Sequence, residues 1–200
     1  MKHPEYNDWS DEIKTHYDKV SNKIKKHGHV VLGTVDGPDG KPGLKRPFAY
    51  TLGASFNTGA ELLCFFPIKG KGISVITGVI NRILDKVKEG NLILNSQILN
   101  DSDIYYLPLA MLVLEEEIKK DIESVWPRQL ERDGHLAEFS TNDHQLVLLI
   151  CTDKHGNFPW DEKCESYWPQ ICPPPLVAMA QEQLTGDDNL LQKLEKGYGI

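Results

Sequence analysis

Apolar positions along the chain switch between helical and strand periods. Ile13, Tyr17, Val20 and Ile24 recur three and four apart, and Ser10 followed by Asp11 and Glu12 supplies an N-cap and acids for the positive end of the helix dipole. This predicts an amphipathic helix that Gly28 stops, after a loose lead over residues 1–9. Strands are predicted over His29–Val35, Pro47–Leu52 and Glu61–Phe66, with turn-rich Asp36–Gly43 between the first two and a polar loop, Gly53–Gly59, between the next two. Ile73, Ile76, Ile80, Ile83 and Val87 give the clearest helix, ended by Gly90. Beyond it the pattern predicts strands at Leu92–Leu94 and Ile104–Leu114, a helix over Glu115–Val125, and a buried strand at Gln145–Cys151. A last helix is predicted over Leu176–Leu184, after the stiff break Pro173-Pro174-Pro175.

Strands gathered first, then a helix, then more strands, give an α+β class. The expected architecture is a mostly antiparallel sheet of about six strands that could close like a barrel, with two to three packed helices. Residues 1–26 form the N-terminal helical segment, 27–175 one α+β domain and 176–200 a helical extension. The expected core is Val31, Leu63, Phe65, Ile76, Ile80, Ile83, Val113, Ile118, Ile122, Leu146, Leu148 and Ile150.

The 200 residues are 40% hydrophobic and 26% charged, an ordinary balance for one folded domain. Lys and Arg number 22 against 29 Asp and Glu, a net charge of −7. Nucleic acid, which is held by excess positive charge, is therefore not an expected partner. No apolar run approaches the ~18 residues of a membrane span and no leader is recognised, so a membrane is not expected either. A cytoplasmic home, or a host-cell cytosol for an effector or viral protein, fits four cysteines kept as thiols: Cys64, Cys151, Cys164 and Cys172.

Phosphate-loop, dinucleotide and zinc-protease motifs are absent. Lys69-Gly70-Lys71-Gly72 ahead of the isoleucine-rich helix reads as a basic turn. Gly53-Ala54-Ser55-Phe56-Asn57 misses a nucleophile elbow because Asn57 stands where the tight turn requires glycine. Cys151, His155, Cys164 and Cys172 lack the close pairing of structural zinc ligands, so no metal is assigned.

Three stretches carry a family resemblance. They are His27-Gly28-His29-Val30-Val31; Pro47-Phe48-Ala49-Tyr50-Thr51-Leu52-Gly53 followed by Glu61-Leu62; and Asp153-Lys154-His155-Gly156-Asn157-Phe158-Pro159-Trp160-Asp161 with Gln170 further on. Over roughly residues 20–175 the chain resembles the domain of unknown function numbered 4262. His29, Ala54, Ala60 and Asp161 replace the Trp, Leu, Pro and Glu usual there. The resemblance implies a shared fold and no particular activity.

Two function classes follow. One is a module binding a protein partner, as in toxin–immunity or host–phage conflict, with a basic partner suited to the acidic chain. The other is an enzyme or a nucleotide or flavin binder. Its cleft would be lined by Tyr50, Thr51, Glu61, Asp153, His155, Trp160 and Gln170, with Glu61 or His155 as the acid–base group. A split-barrel flavin protein has a similar element order from Val30 to Val87. No cofactor is named by a motif, and a homodimer is left open.

Overall fold

The computed structural model describes residues 3–34, 48–65, 72–125, 139, 143–165 and 174–188. The lead is more ordered than its polarity suggests: Tyr6–Asp8 forms a 3-10 turn, and the Tyr6 hydroxyl donates to Asp18 at 2.7 Å. Helix α1 spans Asp11–His27. The Ser10 hydroxyl accepts the Ile13 N–H, and Gly28 ends the helix at φ 80°, a left-handed position that suits glycine.

The strands are β1 (Val30–Thr34), β2 (Phe48–Leu52), β3 (Ala60–Phe65), β4 (Gln97–Leu99), β5 (Leu109–Val113) and β6 (Gln145–Cys151). They form one open sheet in the order β1-β2-β3-β6-β5-β4. It does not close into a barrel, because β1 and β4 are its two edges. Every pairing is antiparallel except β3 with β6, which places Glu61 beside Leu146 and Phe65 beside Ile150. Two antiparallel ribbons are thus joined by a central parallel pair.

Among the described residues there are five α-helices, more than the two or three expected: α1, α2 (Ser55–Thr58), α3 (Gly72–Lys88), α4 (Glu116–Val125) and α5 (Pro174–Thr185). Alternation along the strands divides the core into two layers. Tyr50, Leu63, Leu148 and Ile150 face α1 and α5, which contribute Tyr17, Val20, Leu176 and Val177. Ala49, Leu62, Cys64 and Leu149 face α3, whose Ile76, Val79, Ile80, Ile83 and Leu84 are buried.

Several expectations are corrected. Leu92–Leu94 is not a strand: Leu92 and Leu94 pack against the α3 layer while Ile93 stays exposed, and β4 forms later, where Gln97–Leu99 meets Leu109–Met111. The predicted Ile104–Leu114 strand shortens to Leu109–Val113. Residues 101–105 make a turn closed by N–H bonds from Ile104 and Tyr105 to the Asp101 carbonyl, and Pro108 has no N–H for a ladder. The polar Gly53–Gly59 loop contains the one-turn helix α2. Of the expected core, Val31, Phe65, Val113 and Ile118 are only half-buried, Val31 because it lies on an edge strand. The Ile122 side chain lies outside the described set, and the other seven are buried.

Candidate functional site

Glu61 opens β3 with its side chain buried. Its Oε1 accepts the backbone N–H groups of Gly53 and Ser55, each at 3.1 Å, and its Oε2 accepts the Thr51 hydroxyl at 2.5 Å. Thr51 Oγ1 in turn accepts the Leu62 N–H at 2.8 Å. The β2–β3 connection therefore folds around one carboxylate. Its tight path depends on Gly53, at φ 87°, where a Cβ would stand 2.9 Å from Ile24 Cγ2. Ser55 donates its backbone N–H to this carboxylate and opens the one-turn helix α2. A general base must reach a substrate proton; both oxygens of Glu61 are turned into their own loop.

Asp153 follows β6 and is fully buried. Oδ1 accepts the N–H groups of His155 at 2.8 Å and Asn157 at 2.9 Å; Oδ2 accepts Asn157 Nδ2 at 3.2 Å and the Glu165 N–H at 3.0 Å. Burial opposes the charge, but the N–H bonds from Asn157, Glu165 and His155 overcome it and draw the carboxyl down to about 2. Asp161 Oδ2 accepts the Phe158 N–H at 2.6 Å, and the Phe158 and Trp160 rings stack at 4.6 Å. His155 stands at the surface, 61% exposed, 3.7 Å from a Glu165 oxygen that Lys154 also meets at 2.6 Å. Burial and the charges of Asp153, Asp161 and Glu165 push the Cys164 thiol up to about 11, away from thiolate chemistry.

The seven expected site residues divide into groups. Thr51 and Glu61 meet directly. Asp153 and His155 share one turn, with the His155 backbone as donor. Tyr50 belongs to the core layer under α1 and α5, and Trp160 packs against that same layer. Thr51 shares the opposite sheet face with Ala49. Gln170 lies outside the described residues, as do Lys69, Lys71 and Cys172. Because β3 and β6 are parallel, Glu61 at the start of one and Asp153 beyond the end of the other occupy opposite ends of the sheet. The five steps from Leu146 to Cys151 alone span roughly 17 Å.

Sequence reading did not find Glu165, whose backbone closes the Asp153 turn from twelve residues away, nor the buried Lys119, whose Nζ donates to the His144 carbonyl at 2.6 Å. Neither bond has a local signature. It also passed over a hollow of about 380 Å³ between α3 and the 102–106 turn, whose one visible mark in the sequence is Gly78 inside an otherwise regular helix.

None of the helices of the described residues is long and apolar enough to cross a membrane. No curated protein and no solved structure matches the chain. A family model does, over residues 23–165, a span that takes in the end of α1, all six strands and the whole Asp153 turn. The chain belongs to the family described as a domain of unknown function (DUF4262).

Proposed function

We propose that this chain is a non-catalytic binding module whose partner is a protein of basic character. The observation that carries the reading is the state of the two motif carboxylates. Glu61 accepts from the Gly53 and Ser55 N–H groups and the Thr51 hydroxyl, and Asp153 accepts four N–H bonds from within residues 155–165. Carboxylates so engaged support a reading in which they shape their loops rather than act on a substrate. The net charge of −7 favours encounter with a positively charged surface and weakens with salt.

The test is capture by the tagged, full-length chain from its own cell's lysate at about 50 and 300 mM salt, followed by titration of the purified captured protein. The expected result is one basic protein with a Kd below about 1 µM that weakens as salt rises. Retention of no protein at either salt, or of one whose binding ignores salt, overturns the reading. So does turnover of any substrate that E61Q abolishes without loss of folding.

A further inference from the structure

The hollow beside α3 shares no lining residue with either motif loop and has its own chemistry. Val75, Gly78 and Arg82 fall on one stripe of α3, three and four residues apart, and face the turn that carries Tyr105 and Tyr106. The turn is fixed to the helix at two points. Arg82 Nη1 donates to the Ile104 carbonyl at 3.2 Å, and Lys86 Nζ pairs with Asp101 at 2.8 Å. The wall is therefore built, and its size falls in the ~300–1,000 Å³ range of small-molecule sites.

Three observations point to a ligand. First, Gly78 sits mid-helix without a left-handed φ, and a Cβ built on it meets nothing within 4 Å. Glycine there costs the helix about 1 kcal/mol relative to alanine, and neither backbone conformation nor a close neighbour calls for it. What its missing side chain preserves is the hollow. Second, the Arg82 guanidinium has no carboxylate partner among the described residues; the Ile104 carbonyl takes one of its five N–H donors. Third, Val75 and Tyr106, at the rim, are 48% and 74% exposed, large apolar surface left open at one place. Tyr105 donates its hydroxyl to Tyr106 at 3.4 Å, and burial raises the Tyr105 phenol above its ordinary range, so that ring presents a neutral face.

We propose that this hollow binds a small aromatic carboxylate, its anionic end on Arg82 and its ring over Gly78 between Val75 and the tyrosines. The single guanidinium suits one negative charge; Asp103 in the same wall is met by Lys86 at 3.6 Å, which offsets its repulsion of a monoanion but leaves no second cation for a dianion. The proposal goes beyond the protein-partner reading and stands or falls separately from it, since none of these residues belongs to the motif loops.

The experiment is amide-shift titration of the full chain with indole-3-acetate as the probe. Indole-3-acetamide serves as the uncharged control and adenosine monophosphate as the dianionic one. Shifts confined to residues 74–82 and 102–106 are expected, with a Kd no weaker than about 1 mM. R82Q and the amide control should each weaken binding roughly tenfold, the loss of one charge-assisted bond. G78L should abolish binding while melting at or above the wild-type temperature, since leucine fills the hollow and favours the helix. Absence of shifts in this region overturns the proposal, as does G78L binding like wild type. Adenosine monophosphate binding more tightly than indole-3-acetate overturns the assignment of a monoanion.

Discussion

Removing the Glu61 side chain tests whether it is a fastener or a reagent. Glu61→Ala strands three donors in the protein interior: the Gly53 and Ser55 N–H groups and the Thr51 hydroxyl. A buried donor left without an acceptor costs about 1–3 kcal/mol. Three in the lower half of that range cost about 4–5 kcal/mol, and the carboxylate's own desolvation, partly returned, brings the net loss to ~3–4 kcal/mol. Glu61→Gln keeps the shape, and its carbonyl still accepts both backbone N–H groups. Its NH₂ now meets Thr51 Oγ1, which already accepts from Leu62 N–H, so the hydroxyl hydrogen loses its acceptor and two charge-assisted bonds become neutral ones. That predicts a smaller loss, ~1–2 kcal/mol. Urea denaturation at neutral pH reads both, with unchanged m-values showing that the unfolded state is not at issue. In a double-mutant cycle T51V should couple to E61Q, because each removes part of one bond. An E61A variant within about 0.5 kcal/mol of wild type would refute the reasoning, as would E61Q proving more damaging than E61A.

Further outcomes follow from the same geometry. Asp153 lies well below its ordinary pKa in the folded chain, so its contribution is complete above about 4 and is lost as pH falls through about 2; acid titration of D153N should lack that part of the acid limb seen in wild type. G53A should destabilise by roughly 2 kcal/mol or more in thermal melts, because alanine is strained at φ 87° and its Cβ collides with Ile24. Cys164 should react with iodoacetamide at neutral pH roughly 100-fold more slowly than an unshifted thiol, a difference mass spectrometry of the labelled peptide resolves.

What the sequence disclosed follows from the range over which each interaction acts. Helix α1 was legible from end to end because its cap, its apolar stripe and its glycine stop are all local. So was α3, whose isoleucines repeat on one face. The buried strand β6 was legible from its unbroken apolar run. The β4 region was misplaced because Leu92-Ile93-Leu94 has the more strand-like composition, and only pairing with β5 decides that Gln97–Leu99 is the edge. One-turn α2 was missed because nothing in Ser55–Thr58 favours a helix; Glu61 holds its first N–H from outside. The Thr51–Glu61 contact and the Asp153 turn each joined residues already singled out, because strand neighbours and tight turns are short-range. That those two features sit apart depended on the sense of the β3–β6 pairing, which no local pattern encodes.

That pairing also bears on what can recognise the molecule. Had β3 and β6 been antiparallel, the loop before β3 and the loop after β6 would have met at one end of the sheet and enclosed a common cleft. Parallel pairing sends them to opposite ends, with five strand steps, roughly 17 Å, lying between the level of Leu146 and that of Cys151. No compact substrate bridges that span, so a reaction needing both carboxylates has no place to occur. An extended segment of five or six residues does reach it, at about 3.3 Å per residue. If one partner reads both fastened loops at once, it must therefore be a polymer, and on that condition the placement of these two carboxylates supports the proposed protein partner over a metabolite.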